Sequence, residues 1–131
     1  MLCLTFGSIF LIINPPFMTS DEVSHFYKAF DISQGHIIPR DNINVPKSFG
    51  HITQFNPWNV STWHPSVIRN FNDNYYVFAF KESLDINDTM ESIPGTINYM
   101  PLPYLAPAFI IKIGELFNAS PLTLMYLSRL L

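Results

Sequence analysis

Residues 1–13, MLCLTFGSIFLII, carry no charged side chain, and 10 of the 13 are apolar. Asn14-Pro15-Pro16 follows and stops any helix, because proline lacks a backbone donor and disfavours helical geometry in the residue before it. A membrane-crossing helix needs about 20 mostly apolar residues, so this run is too short to cross alone. A secretory signal would carry a basic start and a small-residue cleavage site, and neither is present. Two readings remain for the run. One is a short buried strand or helix; the other is the outer end of a membrane helix that begins upstream, and the rest of the chain favours it.

Charge is unevenly spread. It amounts to 13% of the 131 residues, about half the usual share. Residues 14–100 hold 14 of the 17 charged side chains, nine acids against five bases. Cytoplasmic loops are enriched in Lys and Arg, so this acidic stretch leans to the outer face. A net charge of −3 excludes the basic stripe of a nucleic-acid binder. The lone Cys3 cannot form a disulfide within the chain. Aromatics at 15% are incompatible with a disordered tail. Asn-x-Ser/Thr triplets stand at Asn59, Asn87 and Asn118, which matter only in a glycosylating compartment.

Beyond Met100 apolar residues dominate again, with only Lys112, Glu115 and Arg129 charged. Tyr104 to Phe117 reads as a mostly apolar helix, with Lys112 and Glu115 three apart as its polar exception. Ser120-Pro121 is a helix start, an N-cap followed by proline at the first helical position. The helix it opens runs to Leu131 without a stop signal, so the chain is expected to be a piece of a longer protein. The organisation expected is thus the end of a first transmembrane helix at 1–13 and an extracytoplasmic loop at 14–100. An amphipathic juxtamembrane helix at 101–120 and the start of a second transmembrane helix at 121–131 follow.

The stretch with most chemistry is PPFMTSDEVSHFYKAFDISQGHIIPR, residues 15–40. Thr19 and Glu22 have capping-box spacing, which starts a helix near Ser20, and Gly35 is suited to end it. Val23, Phe26, Tyr27 and Phe30 share one face. Asp21, His25 and Lys28 share the other. A carboxylate, an imidazole and an ammonium therefore stand in a row just after an apolar segment. The plain reading is an acidic first turn opposing the helix dipole and a solvated polar face. The chemical reading is a general base for an acceptor hydroxyl, or a divalent cation held with phosphate oxygens. Asp21 and His25 have metal-pair spacing but lack a third ligand nearby, since zinc wants at least three.

Pro15-Pro16-Phe17, Ser20-Asp21-Glu22, His25-Phe26-Tyr27-Lys28-Ala29-Phe30 and Ile32-Ser33-Gln34-Gly35 together resemble the opening signature of a bacterial multi-pass membrane family. That family is catalogued as domain of unknown function 2142, and its layout is similar to the GT-C glycosyltransferases. The resemblance implies a mainly α, polytopic fold of GT-C type, whose first extracytoplasmic loop contains short helices and a little strand. It implies catalytic roles for Asp21 and Glu22, a cation at Asp21 if one is used, and substrate contacts from His25 and Lys28. Tyr99 and Tyr104, in the motif Tyr99-Met100-Pro101-Leu102-Pro103-Tyr104, would shape a groove for a lipid carrier. Lys28 stands where the family usually has Arg, which keeps the charge and loses the bidentate fork.

The aromatic middle, including Phe49, Phe55, Trp58, Trp63 and Phe71, suits either sugar stacking at the headgroup level or the core of a small subdomain. Tyr75 to Phe80 reads as a buried strand. Arg40, Lys47 and Arg69 are cations available to a phosphate. The function implied is transfer of a sugar from a polyprenyl-phosphate donor in the membrane to a cell-envelope glycan or glycolipid. The alternatives are a non-catalytic membrane component of envelope polysaccharide assembly or export, and a soluble binding domain with an apolar edge strand at 1–13.

Overall fold

The helix expected after Phe17 forms as α1, Glu22–Ser33, because apolar residues recur at the three- and four-residue spacing that lines one helical face. The computed structural model describes Phe6, Gly7, Ile9, Phe17 and residues 21–53, 79–96 and 98–130. Phe26, Tyr27 and Phe30 of α1 are buried. Gly35 takes φ +90°; its N–H bonds the Ile32 carbonyl at 2.9 Å and the His36 N–H bonds that of Asp31 at 3.2 Å. These two bonds form a Schellman cap, which satisfies carbonyls the last helical turn leaves open.

After this cap, β1 (Ile43–Pro46) leads directly into the short helix α2 (Lys47–Thr53). β1 pairs antiparallel with β2 (Thr89–Ser92), with Ile43 opposite Ser92 and Pro46 opposite Thr89. Lys47 ties the ribbon's end to Asp88 by an ion pair at 2.5 Å. The role of α2 is to deliver Phe49, whose ring lies 4.8 Å from that of Phe26 and edge-on to Phe30 at 4.8 Å. Tilted and edge-on aromatic pairs add about 0.5–1.5 kcal/mol each beyond the area they bury. This cluster holds α1 against the ribbon.

The C-terminal part is a helical hairpin. A 3-10 turn at Leu102–Tyr104 opens α3, Leu105–Leu116, and α4 follows at Pro121–Ser128. Between them Asn118 takes φ 53° and completes a second Schellman cap, in which the Ala119 N–H reaches the Gly114 carbonyl at 2.9 Å. Ser120 then caps α4, its hydroxyl accepting from the Thr123 N–H at 3.3 Å, with Pro121 at the first helical position as expected. α3 packs on both α1 and α4 through Ala108, Ile111 and Gly114. Gly114 is a point of close approach to α4: a Cβ there would lie 2.3 Å from Leu124 Cδ2. At the far end of α1, Gln34 bonds Glu115, which also pairs with Lys112 at 2.8 Å.

The described structure is mainly helical with one short ribbon, and none of its helices is long and apolar enough to cross a membrane. Phe6, Gly7 and Ile9 are helical; the rest of the 1–13 run, Thr19, Ser20, Phe55, Trp58, Asn59, Trp63, Arg69, Phe71 and Tyr75 to Phe78 lie outside the described residues. The capping box expected between Thr19 and Glu22 falls on Thr19, outside the described residues; Asp21 stands at the N-cap of α1 without a side-chain cap bond. Two expectations are corrected. The strand expected to end at Phe80 gives way to a helical turn at Ala79–Lys81. Lys28, expected on the polar face, is fully buried.

Candidate functional site

Where α1 begins, the 3-10 turn, α3 and the end of α4 converge around a cleft of about 500 Å³. Its walls are largely apolar, built from Phe26, Ala29, Pro103, Pro107 and Met125. Its polar groups are Glu22 and His25 from the first turns of α1, Tyr99 and Tyr104 ahead of α3, and Ser128 and Arg129 at the end of α4. An apolar pocket with a few convergent polar groups is the usual form of a small-molecule site.

His25 and Tyr104 form the centre of this group. His25 Nδ1 lies 2.8 Å from the Tyr104 hydroxyl, and the two rings stack with centroids 5.7 Å apart. Tyr99 stands beyond, tilted, with its ring 6.1 Å from that of His25. Burial raises the Tyr104 phenol above its ordinary value, aided by the nearby Tyr99 and opposed by a hydrogen bond with Thr96. The phenol therefore stays protonated at neutral pH, and its hydrogen bond with Nδ1 fixes the imidazole in orientation. Thr96 is itself anchored, donating to the Ser24 carbonyl at 2.8 Å.

The charged members stand opposite. Arg129 Nε donates to Glu22 Oε1, and the guanidinium carbon lies 5.5 Å over the Tyr126 ring. Both side chains of the pair are mostly buried, at 14% and 15% exposure. Such a pair is screened far less than one on an open surface.

Four of the six residues singled out in the sequence, Glu22, His25, Tyr99 and Tyr104, thus line one cleft. Asp21 is exposed at the N-cap of α1, with its backbone carbonyl accepting from the His25 N–H at 2.9 Å. Its side chain is not among those lining the cleft. Lys28 lies one helical turn deeper, on the buried side of α1. Arg40 and Lys47, the other cations set aside for phosphate, are paired with Asp31 and Asp88. Among the described residues no three His, Cys, Asp or Glu side chains converge as a metal site, so Asp21 and His25 do not acquire the third donor their spacing lacked. Arg129 was missed. Its only sequence signal is that it is a lone charge in a strongly apolar helix, which points to a paired or functional group.

The fold and cleft define a class: a mainly helical protein that encloses an imidazole–phenol pair and a buried ion pair within apolar walls. The chain belongs to the family described as predicted membrane protein, DUF2142, whose model matches residues 4–131. No curated protein and no solved structure matches it.

Proposed function

We propose that this chain is the N-terminal part of an integral membrane glycosyltransferase of GT-C type. It would use a polyprenyl-phosphate-linked sugar to modify an envelope polysaccharide or glycolipid, with residues 14–100 outside the membrane. The observation that carries this reading is the convergence of Glu22, His25, Tyr99 and Tyr104 on one largely apolar cleft. The apolar walls suit an isoprenoid chain. The phenols and the imidazole suit phosphate oxygens, and a carboxylate beside them suits proton removal from an acceptor hydroxyl. Of the two acids, Glu22 is the better placed, because it lines the cleft and Asp21 does not.

The membrane association is supported by the outer side of α3. Leu102, Leu105, Phe109, Leu116 and Phe117 are exposed along one stripe, with Lys112 as its exposed charge and Glu115 withdrawn to 8% exposure. An apolar stripe with a cation at its edge suits a helix lying in the headgroup region.

Sugar transfer by membranes containing the intact protein is the test. Glu22→Gln is expected to lower it by about a hundredfold or more, the range of a lost general base. Undiminished transfer in both Glu22→Gln and Asp21→Asn would remove the enzymatic reading. One observation favours the second reading, a non-catalytic component of polysaccharide assembly or export: Glu22 is engaged by Arg129, as a structural tie would be. In that case an Asp21→Ala/Glu22→Ala double variant restores polymer to a deletion strain.

A further inference from the structure

Among the described residues lining the cleft, Glu22 and Arg129 supply the one carboxylate and the one guanidinium, and they are held against each other. Among these residues an anion that enters meets one guanidinium, and that group already carries a carboxylate. The apolar walls strengthen whichever ionic contact is made there, because the local dielectric is low. A phosphate monoester carries up to two charges and three strong acceptor oxygens, and its tetrahedral head matches the guanidinium fork at least as well as a carboxylate does. Arg129 is also steadied from another side by the Tyr126 ring, so it need not collapse if its carboxylate partner leaves. Glu22 sits in the first turn of α1, where the helix N-terminus itself stabilises a negative charge. The carboxylate thus has a favourable site when its partner is taken.

We propose that Glu22 is the resident counter-ion of Arg129, and that the phosphate head of an entering lipid takes its place and frees the carboxylate on the His25 side of the cleft. The inference rests on the reading of the cleft as a site for a phosphate-bearing isoprenoid. It adds a sequence of events: the general base becomes available only when the anion is bound, so an empty cleft is kept idle.

The test uses the full chain in nanodiscs of zwitterionic lipid, with a short isoprenyl monophosphate as probe and the matching isoprenol as its neutral control. In the wild type the monophosphate is expected to shift the Arg129 Nε–H resonance, and the isoprenol is not. Glu22→Gln removes the competing charge and is expected to tighten monophosphate binding by about tenfold, the worth of one charge-assisted contact, with isoprenol binding unchanged. Arg129→Gln abolishes the preference for the monophosphate. An unmoved Arg129 resonance in the wild type overturns the proposal, and that measurement needs no variant to fold. Equal or weaker monophosphate binding by a folded Glu22→Gln chain overturns it too, and leaves the glycosyl-transfer reading intact if transfer is lost. Tighter binding with full transfer supports the exchange and sinks the catalytic role of Glu22.

Discussion

Gly35 carries its φ of +90° in a cap where an L side chain is strained, although a Cβ there would meet nothing within 4 Å. The cost of Gly35→Ala is therefore conformational alone, about 1–2 kcal/mol, and denaturant unfolding measures it. Asn118, at φ 53°, does the same work with a side chain that tolerates the left-handed region, so Asn118→Gly is expected to leave stability within a few tenths of a kcal/mol. Gly35 was legible as a cap in the sequence and Asn118 was not, since glycine announces such a cap and asparagine only permits it. The buried tyrosines predict a pH dependence. Tyr27 and Tyr104 have phenol pKa values raised above 10.0, chiefly by burial. A raised folded value means that the folded state holds the proton more firmly than the unfolded chain does. The stability this linkage contributes is complete below pH 10 and falls as pH rises beyond it toward the folded values. Tyr27→Phe is expected to flatten part of that alkaline fall in urea midpoints. A fall already under way between pH 7 and 9 with the same tyrosine dependence would contradict the assignment.

The helices were legible where periodicity and caps agreed. α1 and α3 begin and end, and α4 begins, within a residue or two of the expected signals, because Gly35 and Ser120-Pro121 fix the backbone locally; α4 ends at Ser128, short of the run to Leu131 that was expected. The ribbon and α2 were not legible, since four-residue strands and a seven-residue helix are too short to show a period and are stabilised by Phe49 packing onto α1. Lys28 was misplaced for a related reason: a helical wheel gives a face, but only the neighbouring elements decide whether that face is covered. The hairpin of α3 and α4 yields a prediction of its own. Gly114→Ala gains about 1 kcal/mol of helix propensity, yet its Cβ would meet Leu124 Cδ2 at 2.3 Å. Leu124 is fully buried and cannot retreat to solvent, so overpacking of about 1–3 kcal/mol prevails. The variant is expected to be destabilised, and Leu124→Ala is expected to cost less in its background than in the wild type, a coupling that a double-mutant cycle reads directly. The outer stripe of α3 predicts depth. In a Cys3→Ser background, a spin label at Phe109 is expected to be relaxed by oxygen in preference to a water-soluble nickel complex, and a label at Lys47 the reverse. A water-relaxed label at Phe109 would remove the interfacial placement.

At the scale of the whole molecule, the bonds that tie the chain together around α1 span long stretches of chain. His25 reaches Tyr104 and Glu22 reaches Arg129, and at the far end of α1 Gln34 reaches Glu115. The ribbon pairs residues 43–46 with 89–92, and α1 packs on α3. No sequence pattern announces such partners, because each is a meeting of elements far apart along the chain. This is why the resemblance located the acidic segment and the Pro/aromatic motif and yet left Arg129 out of the site. It also means that the segment before residue 54 and the segment after residue 78 complete one another. The first supplies Glu22, His25 and the aromatic cluster, and the second supplies Tyr99, Tyr104, Arg129 and the α3 face that covers α1. Neither segment has enough partners to bury its apolar face alone, whereas together they share one core. A chain opened between residues 54 and 78 and produced as two separate pieces is therefore expected to reassemble. A tag on the first piece should retain the second through detergent purification, and only the pair should bind the isoprenyl monophosphate. Ion pairing contributes little to this assembly compared with the buried aromatic and aliphatic contacts, so the pieces should stay together at high salt, where the Debye length shrinks to about 3 Å at 1 M. Pieces that separate at every ionic strength would show that the connecting residues, and not the α1–α3 packing and the ribbon, hold the two segments in register.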